Sequence, residues 1–377
     1  MKSYVLVMGD FVKTGGMDRA NYALADYLAR QGAELHLVAH RVATTLLNYP
    51  NVQWHRVPKI ANSDFLGGFL LNWVGQTWAR RITAQGGRVL VNGGNCQWSD
   101  VNWVHYVHAA YKPTSRVSVL RQVKTVIAHY CFLQSEKRTL RKAKIVLANS
   151  ARTQHDLVNS GLASPSVIHP VCYGIDPSIF YPVTPNAQRA LRQQLGWALD
   201  RLVVVFIGAL GDRRKGFDTV FEAWQQLCTD PTWNADLVVI GQGAELAQWQ
   251  QRSHQVGLSD RIQFLGFRQD VPDLLQASDC LVAPTRYEAY GLGVHEALCC
   301  GIPAIVSANA GVAEQYPEEL KELLLSDPNN VNNLVNRFQH WKRNRQVYRK
   351  IIIDMLCQKM RSHTWDGMAK AIIEAIA

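Results

Sequence analysis

Short apolar runs alternate with amphipathic stretches along the whole chain, and the alternation occurs twice. In the first half the runs predict strands at 4–8, 34–39, 52–57, 88–91, 101–107 and 144–148. After a proline-rich stretch they predict strands at 202–207, 236–240, 261–265, 280–283 and 303–307. Near-continuous apolar strands separated by helices are typical of parallel sheets covered on both faces. The pattern therefore predicts an α/β protein with two doubly wound units, whose ligands bind at the carboxyl ends of the strands, facing a central cleft.

The proline-rich stretch is the predicted boundary between the units. We predict an N-terminal domain over 1–182, a C-terminal domain over 183–344 and terminal helices over 345–377. The terminal helices carry an apolar face that includes Trp365 and Ile372. We therefore expect them to pack as a brace, with the N-terminal domain as the candidate partner.

The composition excludes several classes of protein. Of the 377 residues, 47% are hydrophobic and 19% are charged, so the chain can bury a substantial core and is not disordered. No apolar run reaches the roughly 18 residues that a membrane-spanning helix needs, and the first run is too short for a signal peptide. The eight cysteines form no C-x-x-C pair, which suits neither a zinc site nor a disulfide framework. We expect a cytoplasmic protein.

The net charge of +10 is unevenly distributed. Residues 1–180 carry 20 Lys and Arg against 9 Asp and Glu, whereas residues 181–377 carry 20 against 21. The whole basic excess lies in the first half, which predicts an anionic partner for that half.

Much of that excess lies in segment 116–144, where cations interleave with apolar positions around the single acidic residue Glu136. This basic amphipathic pattern fits an anionic bilayer on the inner face of the plasma membrane, and it also fits the solvated face of a core helix. No aromatic-rich RNA motif accompanies the charge, so nucleic acid is not an expected partner. The candidate membrane contacts are Arg116, Arg121, Lys124, Arg138, Arg141 and Lys142.

Two turns that follow predicted strands are candidate anion sites. Gly15 and Gly16 open a helix, where backbone N–H groups can approach an anion, although an ordinary strand-to-helix turn has the same sequence. Arg213, Arg214 and Lys215 follow strand 202–207. Cations at that position can hold a diphosphate and stabilise it as a leaving group, and a solvated basic turn is the alternative.

Glu288 and Glu296 form the third candidate site. Strand 280–283 leads through a glycine-bearing turn that contains Glu288 into a helix that contains Glu296. A nucleotide sugar has hydroxyl groups at both ends and a diphosphate between them, and two carboxylates separated by a helix N-terminus match that layout. We expect Glu288 to bind the sugar, the backbone of 290–292 to bind phosphate, and Glu296 to bind ribose. A surface glutamate is the alternative for Glu296, although its apolar neighbours disfavour it.

Seven residues separate these carboxylates, and the segments E-A-Y-G-L and H-E-A-L that contain them resemble the E-x7-E signature of retaining GT-B glycosyltransferases of family GT4. The segments R-R-K-G, V-I-G-Q-G, F-L-G-F and G-I-P-A-I-V agree with the family in order. The resemblance implies two Rossmann-like domains and transfer of a hexosyl group from a nucleotide diphosphate sugar to a hydroxyl acceptor, expected to be a lipid-linked or cell-envelope glycan. The donor contacts that it implies are Gly16, Gly208, Arg213, Arg214, Lys215, Gly241, Phe267, Glu288, Ala289, Tyr290, Gly291, Leu292 and Glu296.

The resemblance also implies a mechanism. The acceptor hydroxyl attacks the face that the diphosphate leaves, and the leaving phosphate oxygen accepts the proton, so no carboxylate nucleophile is required. The chain has no D-x-D pair, so we expect the protein's own cations, rather than a metal ion, to neutralise the diphosphate. No cofactor is expected; a UDP- or GDP-linked sugar is the substrate. Family members often carry arginine where this chain has Ala209, and the sequence does not decide whether Arg213 or Arg214 replaces it.

The loop after strand 101–107 supplies further candidates. The family usually has a histidine there, near the sugar of the donor, and both His105 and His108 qualify. Either one also fits an ordinary packed or exposed histidine. The expected catalytic groups are therefore Glu288, Lys215 and these two histidines. The expected acceptor contacts are Gly15, Gly16, Tyr111 and Lys112.

Two other functions remain compatible with the sequence. One is a nucleotide-sugar epimerase or phosphorylase on the same fold, which incubation with donor and no acceptor would distinguish. The other is a non-catalytic module that binds sugar nucleotides at a membrane surface.

Overall fold

The structure, a computed structural model, describes residues 2–59, 64–112, 119–211 and 213–377. These residues form two compact units. The first comprises the described residues up to Gly174 together with His363–Ala377, and the second comprises Ile175–Ser362. The chain thus enters the second unit ahead of the boundary predicted at 182, and only the final part of segment 345–377 belongs to the first unit.

The first unit is built around a parallel sheet. Among its described residues, seven strands pair in the order β5-β3-β1-β6-β7-β8-β9, and β2 pairs with β4. The strands are β1 (Ser3–Val7), β2 (Asp10–Phe11), β3 (Glu34–Ala39), β4 (Arg41–Val42), β5 (Val52–Arg56), β6 (Arg88–Asn92), β7 (Val101–Val104), β8 (Ile145–Ala148) and β9 (Ile168–Pro170). The helices are α1 (Gly16–Arg30), α2 (Thr44–Leu47), α3 (Asp64–Ala84), α4 (Val119–Leu140) and α5 (Ala151–Asn159).

The second unit repeats this architecture. Six strands among its described residues form a parallel sheet in the order β12-β11-β10-β13-β14-β15. The strands are β10 (Leu202–Ile207), β11 (Ala235–Ile240), β12 (Ile262–Gly266), β13 (Cys280–Ala283), β14 (Ala304–Ser307) and β15 (Leu324–Leu325). The helices are α6 (Pro185–Leu195), α7 (Phe217–Leu227), α8 (Leu246–Gln255), α9 (Val271–Ala277), α10 (Leu292–Cys299), α11 (Val331–Ile351) and α12 (Gln358–Ser362), with a π-helical turn at Ile352–Cys357.

The last helix, α13 (Trp365–Ala375), packs on α1 in the first unit. Arg30 Nη2 lies 2.5 Å from Asp366 Oδ1 across this contact. The contact is close at Gly174, where a Cβ atom would lie only 2.4 Å from the backbone nitrogen of Trp365. Glycine at 174 therefore lets the returning chain pack directly against the end of the first unit.

All eleven predicted strands are present, because long apolar runs in a buried sheet are a strong signal. One prediction was wrong in extent, since β7 ends at Val104 rather than at 107. The chain turns there into a 3-10 helix, His108–Ala110, whose first backbone N–H groups are bound by Glu136. The short strands β2, β4, β9 and β15 were not predicted.

The order of the strands creates a switch point in each sheet. In the second unit the chain runs from β10 outwards to β12 and then returns to β13 on the other side of β10. The loops that follow β10 and β13 therefore diverge around a crevice at the carboxyl edge of the sheet. In sheets of this kind, that crevice is where ligands bind.

Candidate active site

The loops after β10 and β13 bring three charged side chains together at the switch point of the second unit. Lys215 Nζ donates a hydrogen bond to Glu288 Oε2. Arg214 Nη1 lies 3.9 Å from the same oxygen. The side chains of Arg214 and Lys215 are 21% exposed and that of Glu288 is 17% exposed, so the group is largely withdrawn from water but reachable from the crevice.

Glycines allow the two loops to approach each other. Gly216, which precedes α7, has φ +73°, and a Cβ atom there would lie 2.0 Å from the carbonyl oxygen of Pro284. At Gly208 a Cβ atom would lie 3.1 Å from Lys215 Cγ, and at Gly241 it would lie 1.9 Å from the Gly208 oxygen. A side chain at 216 would push these two loops apart, and one at 208 would displace Lys215. A side chain at 241 would push the chain after β11 away from the chain after β10.

The electrostatics of the group favour an anion. Burial raises the pKa of Glu288, but the charges of Lys215 and Arg214 outweigh it, and the pKa lies below its usual value. The carboxylate is therefore ionised at neutral pH, and two cations surround one anion. Arg213 points elsewhere, since its Nε donates to Asp218 Oδ2 at 2.7 Å. Of the two candidate arginines, Arg214 is the one beside Glu288.

The turn that carries Glu288 leads directly into α10. Gly291 caps the helix with φ +110°, and a Cβ atom there would lie 2.8 Å from Val312 Cγ1. Glu296 is the fifth residue of α10 and is buried. Tyr290 is also buried, and its hydroxyl lies 2.8 Å from His295 Nδ1. Its side chain thus anchors the turn, and its backbone carbonyl oxygen accepts the N–H of Val312 at 2.6 Å.

The remaining predicted donor residues lie along the same edge of the sheet. Ala289 is buried within the turn, and Leu292 is the first residue of α10. Phe267 follows β12 and is 53% exposed. The ends of β10, β11, β12 and β13 thus carry all the predicted donor residues of the second unit.

In the first unit, His105 follows β7 directly and belongs to the core. Its side chain is buried, and Nδ1 lies 2.5 Å from the hydroxyl of Tyr173. The ring packs on Trp103 with 4.4 Å between centroids. Burial lowers the pKa of His105 to about 3, so the imidazole is neutral. The role of Tyr173 as its partner has no sequence signal, because 68 positions separate the two residues.

His108 is less buried than His105 and is held by α4. Its backbone N–H donates to Glu136 Oε1 at 2.9 Å, and that of Ala109 donates to Oε2 at 3.2 Å. The ring of His108 stacks on Phe132, with 5.1 Å between centroids. Burial, followed by the charge of His129, lowers the pKa of His108 to about 4.

The predicted acceptor residues also lie in the first unit. Tyr111 and Lys112 follow the 3-10 turn, and Lys112 is exposed. Gly15, with φ +80°, caps α1, and Gly16 is its first residue. Tyr111 and Lys112 follow β7 of the seven-stranded sheet, whereas Gly15 and Gly16 follow β2, which pairs with β4.

Helix α4 and the turn directly after it carry exposed apolar and basic side chains. Val126, Ile127 and Tyr130 are 57%, 56% and 61% exposed. Among the predicted membrane contacts, Arg138, Arg141 and Lys142 are exposed. Arg116 lies outside the described residues, and so do the side chains of Arg121 and Lys124, which are part of α4. Within the described part of the chain, no helix is long and apolar enough to cross a membrane.

The described residues contain no group of three or more His, Cys, Asp or Glu side chains that could hold a metal ion. All eight cysteines are free thiols, and Cys96, Cys280, Cys299, Cys300 and Cys357 are buried.

Two family models match adjoining parts of the chain. Residues 14–179 match the model described as glycosyltransferase family 4, and residues 187–356 match the model described as glycosyl transferases group 1. The chain belongs to the GT4 family of glycosyltransferases. This confirms the resemblance based on the E-x7-E signature.

Relatives of this GT4 chain include curated proteins named as a synthase and as glycosyltransferases. Mannosylfructose-phosphate synthase of Agrobacterium fabrum is 26% identical over 65% of this chain and 55% of its own length. A D-inositol 3-phosphate glycosyltransferase of Xylanimonas cellulosilytica is 25% identical over 84% of this chain and 79% of its own length. The chain spans about half the length of several curated relatives that it matches, for example 52% of another D-inositol 3-phosphate glycosyltransferase, from Corynebacterium aurimucosum.

Solved structures show the same fold. WaaG, a glycosyltransferase involved in lipopolysaccharide biosynthesis, aligns over 100% of both chains with a TM-score of 0.77 and 17% identity. HepE of Anabaena, in complex with UDP and glucose, aligns over 100% of this chain and 99% of its own with a TM-score of 0.70 and 21% identity. The GT4 chain has the predicted GT-B fold.

Proposed function

We propose that this protein transfers a hexosyl group from a nucleotide diphosphate sugar to a hydroxyl acceptor, with retention of the anomeric configuration. The observation that carries the proposal is the cluster of Arg214 and Lys215 around Glu288 at the switch point of the second unit. Membership of the GT4 family, and the UDP bound in the HepE structure, support a nucleotide donor.

The cluster suits the donor's chemistry. A diphosphate carries more negative charge than Glu288, so it can draw Lys215 and Arg214 to itself. The released carboxylate can then accept hydrogen bonds from the sugar hydroxyls. We propose that Glu296, at the fifth position of α10, binds ribose in the same way.

In the transfer step the bond between the anomeric carbon and the phosphate oxygen breaks, and a bond to the acceptor oxygen forms on the same face. The acceptor proton passes to the leaving phosphate oxygen, so the nucleoside diphosphate carries it away. Lys215 and Arg214 stabilise the negative charge that develops on that oxygen. The protein's own cations therefore do what a divalent ion does in other transferases, and we propose a metal-independent reaction without a cofactor.

The first experiment identifies the donor and then the product. Thermal unfolding with UDP- and GDP-linked hexoses should single out one nucleotide sugar, because a ligand well above its Kd stabilises by a few kcal/mol. NMR of the glycoside formed from that donor should show the donor's anomeric configuration, with an equal rate in EDTA. An inverted anomer, or turnover of donor with no acceptor, would overturn the proposal.

We further propose that the acceptor is a lipid-linked or cell-envelope glycan, met at an anionic membrane surface. The support is that α4 carries the exposed apolar side chains of Val126, Ile127 and Tyr130, and that exposed cations follow at Arg138, near its end, and at Arg141 and Lys142, directly after it. Such a combination of side chains binds bilayers by apolar insertion and by attraction to anionic lipid.

Co-sedimentation with phosphatidylglycerol vesicles tests this surface. The triple variant Arg138→Gln, Arg141→Gln, Lys142→Gln should bind at least tenfold more weakly, since each cation near such a surface contributes about 1 kcal/mol. Nucleotide sugar binding should be unchanged, and phosphatidylcholine vesicles are the control. Unchanged binding to anionic vesicles would mean that this is only a solvated basic face.

A further inference from the structure

We propose that Asp218 and Arg286 form a positioning pair that fixes the diphosphate-binding cations in place. The inference rests on the proposed function, and it assigns a role to two residues with no direct contact to Glu288. Arg286 lies two positions before Glu288, in the loop after β13. Asp218 lies in the first turn of α7, directly after the loop that carries Arg214 and Lys215.

Arg286 joins the two loops through nearly all of its donors. Its Nη1 and Nη2 donate to Asp218 Oδ1 and Oδ2 at 2.8 and 3.0 Å, the paired geometry that suits a guanidinium and a carboxylate. Nη1 also donates to the carbonyl oxygen of Arg213. Its backbone N–H donates to the Arg214 oxygen at 2.8 Å. One arginine thus binds the backbone of the cationic turn at two successive residues.

Asp218 holds the same turn from the other side. Its Oδ2 accepts the Nε of Arg213 at 2.7 Å, so the carboxylate bridges Arg213 and Arg286. Burial raises the pKa of Asp218, but the hydrogen bonds and charges of the two arginines outweigh it, and the pKa lies below its usual value. The side chains of Arg286 and Asp218 are only 14% and 10% exposed, so water competes little for these bonds.

As a consequence, the three successive cations have different partners. Arg213 is bound to Asp218, whereas Arg214 and Lys215 are directed towards Glu288. Without Asp218, Arg213 loses its partner and becomes a third cation free to approach Glu288. Without the fork of Arg286, the turn loses the side-chain hydrogen bond to the Arg213 carbonyl oxygen and the paired bonds to Asp218, and it keeps only the bond from the Arg286 backbone N–H. In either case the Lys215 ammonium and Arg214 guanidinium no longer meet a diphosphate in one fixed arrangement.

The test compares ligands that differ only in the diphosphate. Calorimetry measures the affinities of UDP against uridine and of GDP against guanosine, for the wild type, Asp218→Asn and Arg286→Lys. We expect the preference for the diphosphate to shrink about tenfold or more in both variants, with the nucleoside affinity unchanged. Arg286→Lys keeps the charge but loses the paired geometry, so its effect reports position rather than charge.

A matched control exists in the same unit. Asp236, at the amino end of β11, lies 2.6 Å from Arg201 Nη2 and 3.5 Å from Arg261 Nε. Asp236→Asn therefore removes a carboxylate from a similar arginine pair at the opposite edge of the sheet. Thermal unfolding of each variant shows whether it is folded at the temperature of the measurement, and Arg286→Lys, the milder change, carries the test if Asp218→Asn is not.

The outcomes separate the two proposals. If the wild type binds neither diphosphate more tightly than its nucleoside, the proposed function fails. If the wild type has the preference and both variants keep it, the positioning role is overturned. If Asp236→Asn reduces the preference equally, the effect is general loss of stability and the positioning role is again overturned.

Discussion

The Lys215–Glu288 pair makes a prediction that needs no substrate. Replacing Lys215 with methionine leaves the Glu288 carboxylate, only 17% exposed, with Arg214 at 3.9 Å as its remaining charged neighbour in this pair of loops. Breaking a fully buried pair costs about 3–5 kcal/mol, whereas an exposed pair contributes at most about 1 kcal/mol. For this intermediate burial we expect Lys215→Met to lower the free energy of unfolding by about 2 kcal/mol.

The pair is isolated by a double-mutant cycle measured by urea unfolding at pH 7. Glu288→Gln removes the carboxylate charge that Lys215→Met leaves without its main partner. The double variant should therefore be about as stable as Lys215→Met or more stable, with a coupling free energy of about 1–2 kcal/mol between the two side chains. Lys370→Met is the control, since Lys370 lies 3.9 Å from Glu374 with both side chains about two-thirds exposed. A loss no larger than that of Lys370→Met, or additive effects in the cycle, would refute the electrostatic account of the site.

The pH dependence provides a second check on the same pair. The folded-state pKa of Glu288 is lowered, so its contribution to stability is present above the unfolded value of about 4.3 and is lost as pH falls below it. In Lys215→Met burial dominates instead, and the variant should be less sensitive to acid. The stability gap between wild type and variant should therefore narrow from pH 7 to pH 4. In the proposed reaction, kcat of this variant should fall about 10²–10³-fold.

Three further predictions concern other parts of the molecule. Gly216 has φ +73°, and a Cβ atom there would lie 2.0 Å from the Pro284 oxygen, so Gly216→Ala should lower the free energy of unfolding in urea by about 3 kcal/mol or more. Gly257 has a similar φ of +70° but open space around it, so Gly257→Ala should lower it by only about 1 kcal/mol. Equal losses would contradict the close approach of the loops. Burial lowers the pKa of His105 to about 3, so protonation of this ring favours the unfolded chain. When the pH falls from 6.5 to 5, the free energy of unfolding of the wild type should therefore fall by about 2 kcal/mol more than that of His105→Gln. Equal losses in the two proteins would count against burial of this ring. Burial raises the pKa of Glu136 to about 7 despite its two backbone hydrogen bonds, so the stability that its protonated carboxyl contributes is present at acid pH and is lost as pH rises through 7. Between pH 4.5 and pH 8 the free energy of unfolding of Glu136→Gln should therefore rise by about 3 kcal/mol relative to that of the wild type. A difference that stays constant with pH would show that the carboxyl is already ionised at pH 4.5.

The sheets could be predicted from the sequence because their strands are long and apolar. Leu202–Ile207 has the same bounds in the sequence prediction and in the structure, and all of its interior positions are buried. The two-residue strand Leu324–Leu325 could not be predicted, because two apolar residues form no pattern and its pairing with β14 depends on the tertiary fold. The same holds for Ile168–Pro170, an edge strand that ends in proline.

The site was predictable in its parts but not in its connections. Each of Lys215 and Glu288 was identified by its position after a strand, yet the sequence does not show that they touch across 73 positions. Asp218 gave no functional signal, because an acidic residue in the first turn of a helix is ordinary. Its contacts with Arg213 and Arg286 exist only in the folded chain, and they decide which arginine lies beside Glu288.

The ion pair at the centre of the site bears on donor selectivity. Lys215 donates a hydrogen bond to the Glu288 carboxylate, and Arg214 lies 3.9 Å from it. In the proposed reaction a diphosphate engages these cations and leaves a largely buried carboxylate in need of new hydrogen bonds, which is costly unless they are supplied. A free nucleoside diphosphate cannot supply them, whereas the hydroxyl groups of an attached sugar can. If this arrangement binds the phosphates as proposed, we therefore expect it to favour the nucleotide sugar over the nucleotide and to disfavour the product once the sugar has been transferred.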